Sequence, residues 1–305
     1  MKRTLSIGAI AMGLTAATPA LAEDVAVLTP YLSSVATNEM VETFKTDAEN
    51  KGWTVNVVDT RGDFQQLASR VEDVTNAGVD AIVLVSVDPN QIGDQIKAAS
   101  DGKIPVFILD GALAEGVTAN ITTDNFALGT ILSDYLFEAI GNKGNIVKFF
   151  HSAHPGVRQR ELALDEALEK NGDVTVIAEH YVQVPGPIDN ARQAMETFLR
   201  QHGDKIDGVW AAWDEPAIGA LLAVQSDMPT SKMAIAGIDG NPQAIDLIGQ
   251  CTNLVATVRQ DFPAIARTAV AEIEKVMAGE APSNPEIFVD AMVVDRKSLD
   301  ATCDG

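Results

Sequence analysis

Six side chains stand just past the ends of short apolar runs, and their types suit hydrogen-bonded capture of a molecule: Asp110, Asn125, Arg158, Trp213, Asp239 and Gln260. A carboxylate accepts from two hydroxyls at once, while Arg, Asn and Gln supply the matching donors. An indole adds a broad apolar plate with few rotors to freeze, suited to the C–H face of a polyhydroxylated compound. Each residue also has a plainer reading. Asp110 and Asp239 can cap the turns that follow them, Trp213 can belong to the core, and Arg158 can pair with Glu161 on its own helix. Their recurrence after successive apolar runs favours a shared cleft.

Signatures of bond-making chemistry do not accompany them. No Gly-x-Gly-x-x-Gly follows the first strand, no Walker A sequence appears, and neither a Gly-x-Ser-x-Gly elbow nor His-Glu-x-x-His occurs. His151 and His154 lie three apart, a spacing metals sometimes use, but no carboxylate or Cys partner stands in a matching motif. A binder with no catalytic residue, cofactor or metal is the expected class.

The elements that must position these side chains are βα units. Residues 25–28, 54–58, 81–87, 104–109 and 119–122 read as strands, with amphipathic or capped helical segments between them. The rhythm then restarts with strands at 145–150, 174–181, 208–212, 233–238 and 254–258 and helices near 126–140, 157–171, 187–202, 215–227, 241–249 and 263–278. Near-continuous apolar strands such as 81–87 belong to parallel sheets covered on both faces. Ligands bind beyond the carboxyl ends of such strands. That rule selects Ser86, Asp88, Asp110, residues 123–125, 151–160 and 213–215, Asp239 and residues 259–261.

The N-terminus carries Lys2 and Arg3, an apolar run from Leu5 to about Ala17, and Ala20-Leu21-Ala22, the pattern of an export signal cut after residue 22. The run is shorter than the roughly 20 apolar residues a membrane span needs. With 305 residues the chain exceeds one small core, so two lobes are expected. Acidic residues outnumber basic ones 43 to 22, for a formal charge of −21, which argues against nucleic acid or anionic membrane as partners. Cys251 and Cys303 are a plausible disulfide in an oxidising compartment, with two free buried thiols as the alternative.

An ordered series of phrases now carries a resemblance. Gly78-Val-Asp-Ala-Ile-Val-Leu-Val-Ser-Val-Asp-Pro89, Ile104-Pro-Val-Phe-Ile-Leu-Asp110 and Thr123-Asp-Asn125 come first. Trp213-Asp-Glu-Pro-Ala-Ile-Gly-Ala220, Gly237-Ile-Asp-Gly240 and Ala256-Thr-Val-Arg-Gln260 follow. From about Val25 onward the series resembles the ribose-binding group of periplasmic sugar-binding proteins. LacI-type repressors share that core but carry a helix-turn-helix where this chain has its export segment.

The resemblance implies a type I periplasmic binding fold, two Rossmann-like lobes with parallel sheets flanked by helices, joined by three crossings near residues 124–126, 260–262 and 286–291. The N-terminal lobe would comprise 23–124 with 261–288, and the C-terminal lobe 125–260 with 289–305. It implies that Asp110, Asn125, Arg158, Asp239 and Gln260 hydrogen-bond a sugar, with Thr123 as a second polar position. The chain departs from the pattern at Ala36 and Thr37, where two aromatics are common, at Val85 in place of a polar residue, at Gly111 in place of Arg, and at Trp213 in place of Asn. Tyr31, or Arg61 and Phe64, would compensate on the N-terminal side.

The implied role is the monomeric, periplasmic substrate-binding subunit of an ABC importer, closing by hinge motion on a monosaccharide, sugar alcohol or sugar derivative and docking on a permease in the inner membrane. The alternative is a sensory receptor that delivers a small signal molecule to a chemoreceptor or sensor kinase.

Overall fold

The structure is a computed structural model and describes residues 22–303. All but the last residue of the expected export segment, 1–22, lie outside that range. The chain begins with β1 (Asp24–Thr29), α1 (Val35–Asn50), β2 (Thr54–Asp59), α2 (Phe64–Ala77), β3 (Ala81–Val85), α3 (Gly93–Asp101), β4 (Val106–Leu109) and β5 (Ala119–Thr122). It continues with α4 (Asn125–Ala139), β6 (Gly144–Phe150), α5 (Pro155–Lys170), β7 (Val174–Tyr181), α6 (Pro187–His202), β8 (Gly208–Ala211) and α7 (Asp214–Asp227). Then come β9 (Ala234–Asp239), α8 (Pro242–Gly249), β10 (Leu254–Gln260), α9 (Phe262–Met277), β11 (Glu286–Phe288) and β12 (Ala291–Asp295).

These strands form two sheets, ordered β11-β5-β4-β3-β1-β2 and β12-β10-β9-β8-β6-β7. The central strands β3, β4, β8 and β9 are buried along their whole length, as their continuous apolar sequences require. In β1, Val25 and Val27 join a core with α1 and α9, while Ala26 and Leu28 join another with α2 and α3. The period-two alternation of side chains thus fixes a helical layer on each face. The second sheet has one large core in which Trp210 is fully buried and donates its indole N–H to Ser133 Oγ at 3.1 Å.

Local signals set the helix ends. Asp63 caps α2 through Gln66 N, and Gly78 ends it in the left-handed conformation at φ 76°. Passage between the sheets uses the same device twice. After β5, Asp124 caps α4 through Ala127 N at 3.0 Å; after β10, Asp261 caps α9 through Ala264 N at 2.9 Å, with Pro263 in the first turn.

The third passage differs. Only Val289 and Asp290 separate β11 in the first sheet from β12 in the second. Because β11 runs toward the junction and β12 continues past it without turning back, β12 runs antiparallel to β10. The second sheet is therefore mixed at one edge, where parallel pairing was expected throughout. Both short strands escaped the sequence reading because three to five half-buried residues give too little periodicity to register.

Cys251 and Cys303 form a disulfide that closes the C-terminal tail onto the start of β10. No helix among the described residues is long and apolar enough to cross a membrane.

Candidate ligand-binding cleft

The carboxyl ends of the two sheets face one another across a cavity of about 60 Å³. Tyr31 follows β1, Ser86 follows β3 and Asp110 follows β4 on one wall; His151 follows β6, Trp213 follows β8 and Asp239 ends β9 on the other. Ser86, Asp110 and Asp239 hold positive φ angles of 58°, 51° and 126°. Non-glycine residues in this region carry strain of roughly 1–3 kcal/mol each, and such strain clusters at ligand clamps. Here it turns three polar side chains out of the strand direction and into the cavity.

Of the residues singled out from the sequence, Tyr31, Asp110, Trp213 and Asp239 line the cavity. Asn125, Gln260 and Thr123 are buried beside it and act on its lining. Gln260 Nε2 donates to Asp239 Oδ1 at 3.0 Å, and Asn125 Nδ2 donates to the Thr123 carbonyl at 3.1 Å. Close approach at Asn125 requires glycine on the facing helix, since a Cβ at Gly156 would fall 2.9 Å from its amide.

Arg158 is not in the lining. Its guanidinium donates to Asp88 Oδ2 at 2.7 Å and to the Ser152 carbonyl at 2.7 Å, on the rim of the cleft. Arg160 lines the cavity instead, 2% exposed, with Nε donating to Asn125 Oδ1 at 2.8 Å and Nη1 to the Ala212 carbonyl at 2.7 Å. Two residues of helix rotate a side chain by about 200°, so Arg158 and Arg160 face opposite ways from α5. The Arg158–Glu161 pair considered from the sequence does not form; Glu161 binds Ser152 and Lys148.

The two histidines have defined roles. Burial, reinforced by His154, lowers the pKa of His151 against the opposing hydrogen bond to Val182, so its ring is neutral. Nδ1–H then donates to the Val182 carbonyl at 2.8 Å, and Nε2 accepts from the Tyr31 hydroxyl at 3.1 Å. His154 caps α5, its Nδ1 accepting from Gly156 N and Val157 N, which leaves Nε2 facing Asp110 Oδ2 at 3.4 Å. Among the described residues no group of three or more His, Cys, Asp or Glu is arranged to hold a metal ion.

The acids divide by environment. Burial opposes ionisation of Asp110, yet His154 and Arg160 outweigh it and hold this carboxyl below the usual range. Burial pushes Asp239 well above that range despite Arg160 at 3.7 Å, because Asp214, Asp110 and Glu215 add repulsion. Asp214 lies behind, pushed up to about 7 by burial although it accepts from Thr257 Oγ1 and Asn241 N, both at 2.7 Å. Gly237 makes room for it, since a Cβ there would lie 2.6 Å from Asp214 Oδ1. Burial also raises Glu215, against hydrogen bonds from Ser34, Trp213 and the Val35 amide.

Several bonds span the cleft directly. Besides Tyr31–His151, Asp110–His154 and Asp88–Arg158, Ser34 Oγ donates to Glu215 Oε2 at 2.9 Å. Glu215, at the start of α7, thereby also meets the N-terminus of α1, where a carboxylate is favoured. The sequence reading gave Ser34, Glu215 and Arg160 no binding role. Glu215, His151 and Arg160 fell in segments flagged by their place after strands; Ser34 had no such signal, because its partner lies 181 residues away.

Comparison with known proteins follows the same lines. A family profile described as "Periplasmic binding protein domain" matches residues 25–281. Ribose import binding protein RbsB of Haemophilus influenzae is 26% identical over 303 residues, covering 97% of this chain and 99% of that protein. A xylitol-binding protein of Mycolicibacterium smegmatis is 28% identical over 229 residues, 74% of this chain and 64% of that one. Among solved structures, an ABC transporter solute binding protein from Agrobacterium vitis with bound allitol superposes with a TM-score of 0.85 at 22% identity, covering 92% of this chain and 97% of that one.

Proposed function

The chain belongs to the periplasmic binding protein family, within its ribose-binding group, and on that premise we propose that it is the substrate-binding subunit of an ABC importer. Its ligand is a monosaccharide, sugar alcohol or related derivative, held between the lobes and presented to a permease in the inner membrane. Relatives named for ribose and xylitol, and a structural relative holding allitol, support this class. Export uses residues 1–22, the protein acts as a monomer, and it releases its ligand unchanged.

One observation carries the reading: Asp110 from one sheet, and Trp213 and Asp239 from the other, converge on a single cavity. Acceptors and an apolar plate in one enclosed space are what a compound with hydroxyls on one side and C–H groups on the other requires. We take 23–124 with 261–288 as one moving lobe and 125–260 with 289–305 as the other, with Asp110, Thr123, Asn125, Asp239 and Gln260 contributing to capture directly or through the side chains they hold.

A thermal-shift panel of sugars, polyols and sugar acids tests this. A tight ligand at a hundred-fold excess over its Kd stabilises by about 2.7 kcal/mol, so at least one compound raises the melting temperature by several degrees. A flat response across the panel overturns the reading.

A further inference from the structure

The cleft carries information on which member of that broad class it takes. We propose, resting on the binding-protein reading above, that the ligand is a neutral acyclic polyol of three or four carbons and that Trp213 sets its upper size.

Size is the first argument. A dry cavity of about 150 Å³ admits benzene, so a cavity of about 60 Å³ favours the smallest members of the polyol class. A three-carbon triol and a four-carbon tetritol are the smallest members of that class. A hexose has about twice the non-hydrogen atoms of that triol.

Rigidity is the second. The lining includes the small side chains Ala36, Thr37 and Ser86, and the two hydroxyls bond each other at 3.0 Å. Small side chains there would widen the space if the lobes stood apart. They do not: the Tyr31–His151 and Ser34–Glu215 bonds draw them together. Trp213 stands in the same lining, pinned through Nε1 to Glu215 at 2.9 Å and edge-on to His151 at 74°.

Charge is the third. Arg158 is spent on Asp88 outside the lining, and Arg160 gives Nε and Nη1 to Asn125 and Ala212. A ligand carboxylate would meet Asp110, Glu215 and Asp239, and the one guanidinium in the lining, Arg160, already faces Asp239 at 3.7 Å. A ligand cation is not called for either, because each acid already has its own partner: Asp110 has His154, Glu215 has Ser34 and Trp213, and Asp239 has Gln260 and Arg160. What remains is a buried acceptor, Asp110 Oδ1, without a hydrogen-bond partner on a residue 5% exposed. A hydroxyl satisfies it.

The test is calorimetry on protein freed of bound ligand by unfolding and refolding, titrated with glycerol, erythritol, threitol, xylitol, ribose, galactose and erythronate. Glycerol or a tetritol is expected to bind at least about ten-fold more tightly than any five- or six-carbon compound, the size of effect overpacking produces. Erythronate is expected to bind at least about ten-fold more weakly than erythritol. A pentose, pentitol or hexose that binds as tightly as the tetritols overturns this inference and leaves the importer reading standing. Erythronate matching erythritol overturns the neutral assignment, and silence from every compound overturns both readings. Trp213→Asn, and Trp213→Phe where the first does not fold, should shift the ranking toward xylitol by about ten-fold or more; an unchanged ranking in a folded variant removes Trp213 as the determinant.

Discussion

Trp213 donates its indole N–H to Glu215 Oε2 at 2.9 Å, and the same oxygen accepts from Ser34 across the cleft. One carboxylate therefore holds both the apolar wall and the opposing lobe. Glu215→Ala leaves a buried indole N–H and a hydroxyl without their acceptor, a loss of about 1–3 kcal/mol. Ligand affinity should fall by roughly five- to a hundred-fold by calorimetry, and Glu215→Gln, which keeps one acceptor oxygen, should recover part of it.

The two arginines of α5 should behave differently. Arg160 is 2% exposed and ties Asn125 to Ala212, so Arg160→Ala should abolish measurable binding and cost about 3–5 kcal/mol of stability in urea melts. Arg158 forms a partly exposed rim pair with Asp88, with its own side chain 39% exposed. Arg158→Ala should weaken binding by less than about ten-fold, with the difference shrinking at high salt.

Stability should depend on pH through the buried acids. Asp214 titrates near 3.8 when unfolded and at about 7 in the folded protein, so its contribution is greatest below pH 4 and is lost as pH rises through about 7. The raised pKa values of Asp239 and Glu215 act in the same sense. Asp110 is depressed and acts oppositely, losing its contribution as pH falls below the usual carboxylate range. The melting temperature should therefore peak in mild acid and decline from pH 5 to pH 8. Asp214→Asn should make that decline shallower; an unchanged slope would show that Asp214 is ionised throughout.

The disulfide should support stability without touching the cleft. It closes a span of 52 residues, for which chain entropy gives about 4 kcal/mol. Cys251 precedes β10, whose far end carries Gln260. Replacing both cysteines by Ser should lower the urea midpoint while ligand affinity changes by less than about two-fold.

Much of this was legible in the sequence. Buried strands such as β3 and β9 are runs of apolar residues, and Asp63 announces its helix, so the βα order could be read directly. Position after a strand identified Asp110, Trp213 and Asp239. The choice between Arg158 and Arg160 could not be read that way, because both fall in the first two turns of α5 after β6 and only packing on α4 decides which is buried. Ser34 and Glu215 meet only when the lobes do, and nothing local to either predicts the other. The antiparallel β12 depended on the length of a link, two residues, rather than on any pattern within the strand.

The positive φ angles at Ser86, Asp110 and Asp239 bear on how this cleft can change over generations. A β-branched or bulky residue at those three points would disturb the main chain before it met any ligand. Ala36, Thr37 and Trp213 sit on regular backbone, at or next to helix starts, and exchange with no such consequence. Mutational drift, or a library built to retarget the protein, therefore has a fixed set of acceptors and a free set of walls. New preferences should arise by reshaping the walls around acceptors that stay where they are.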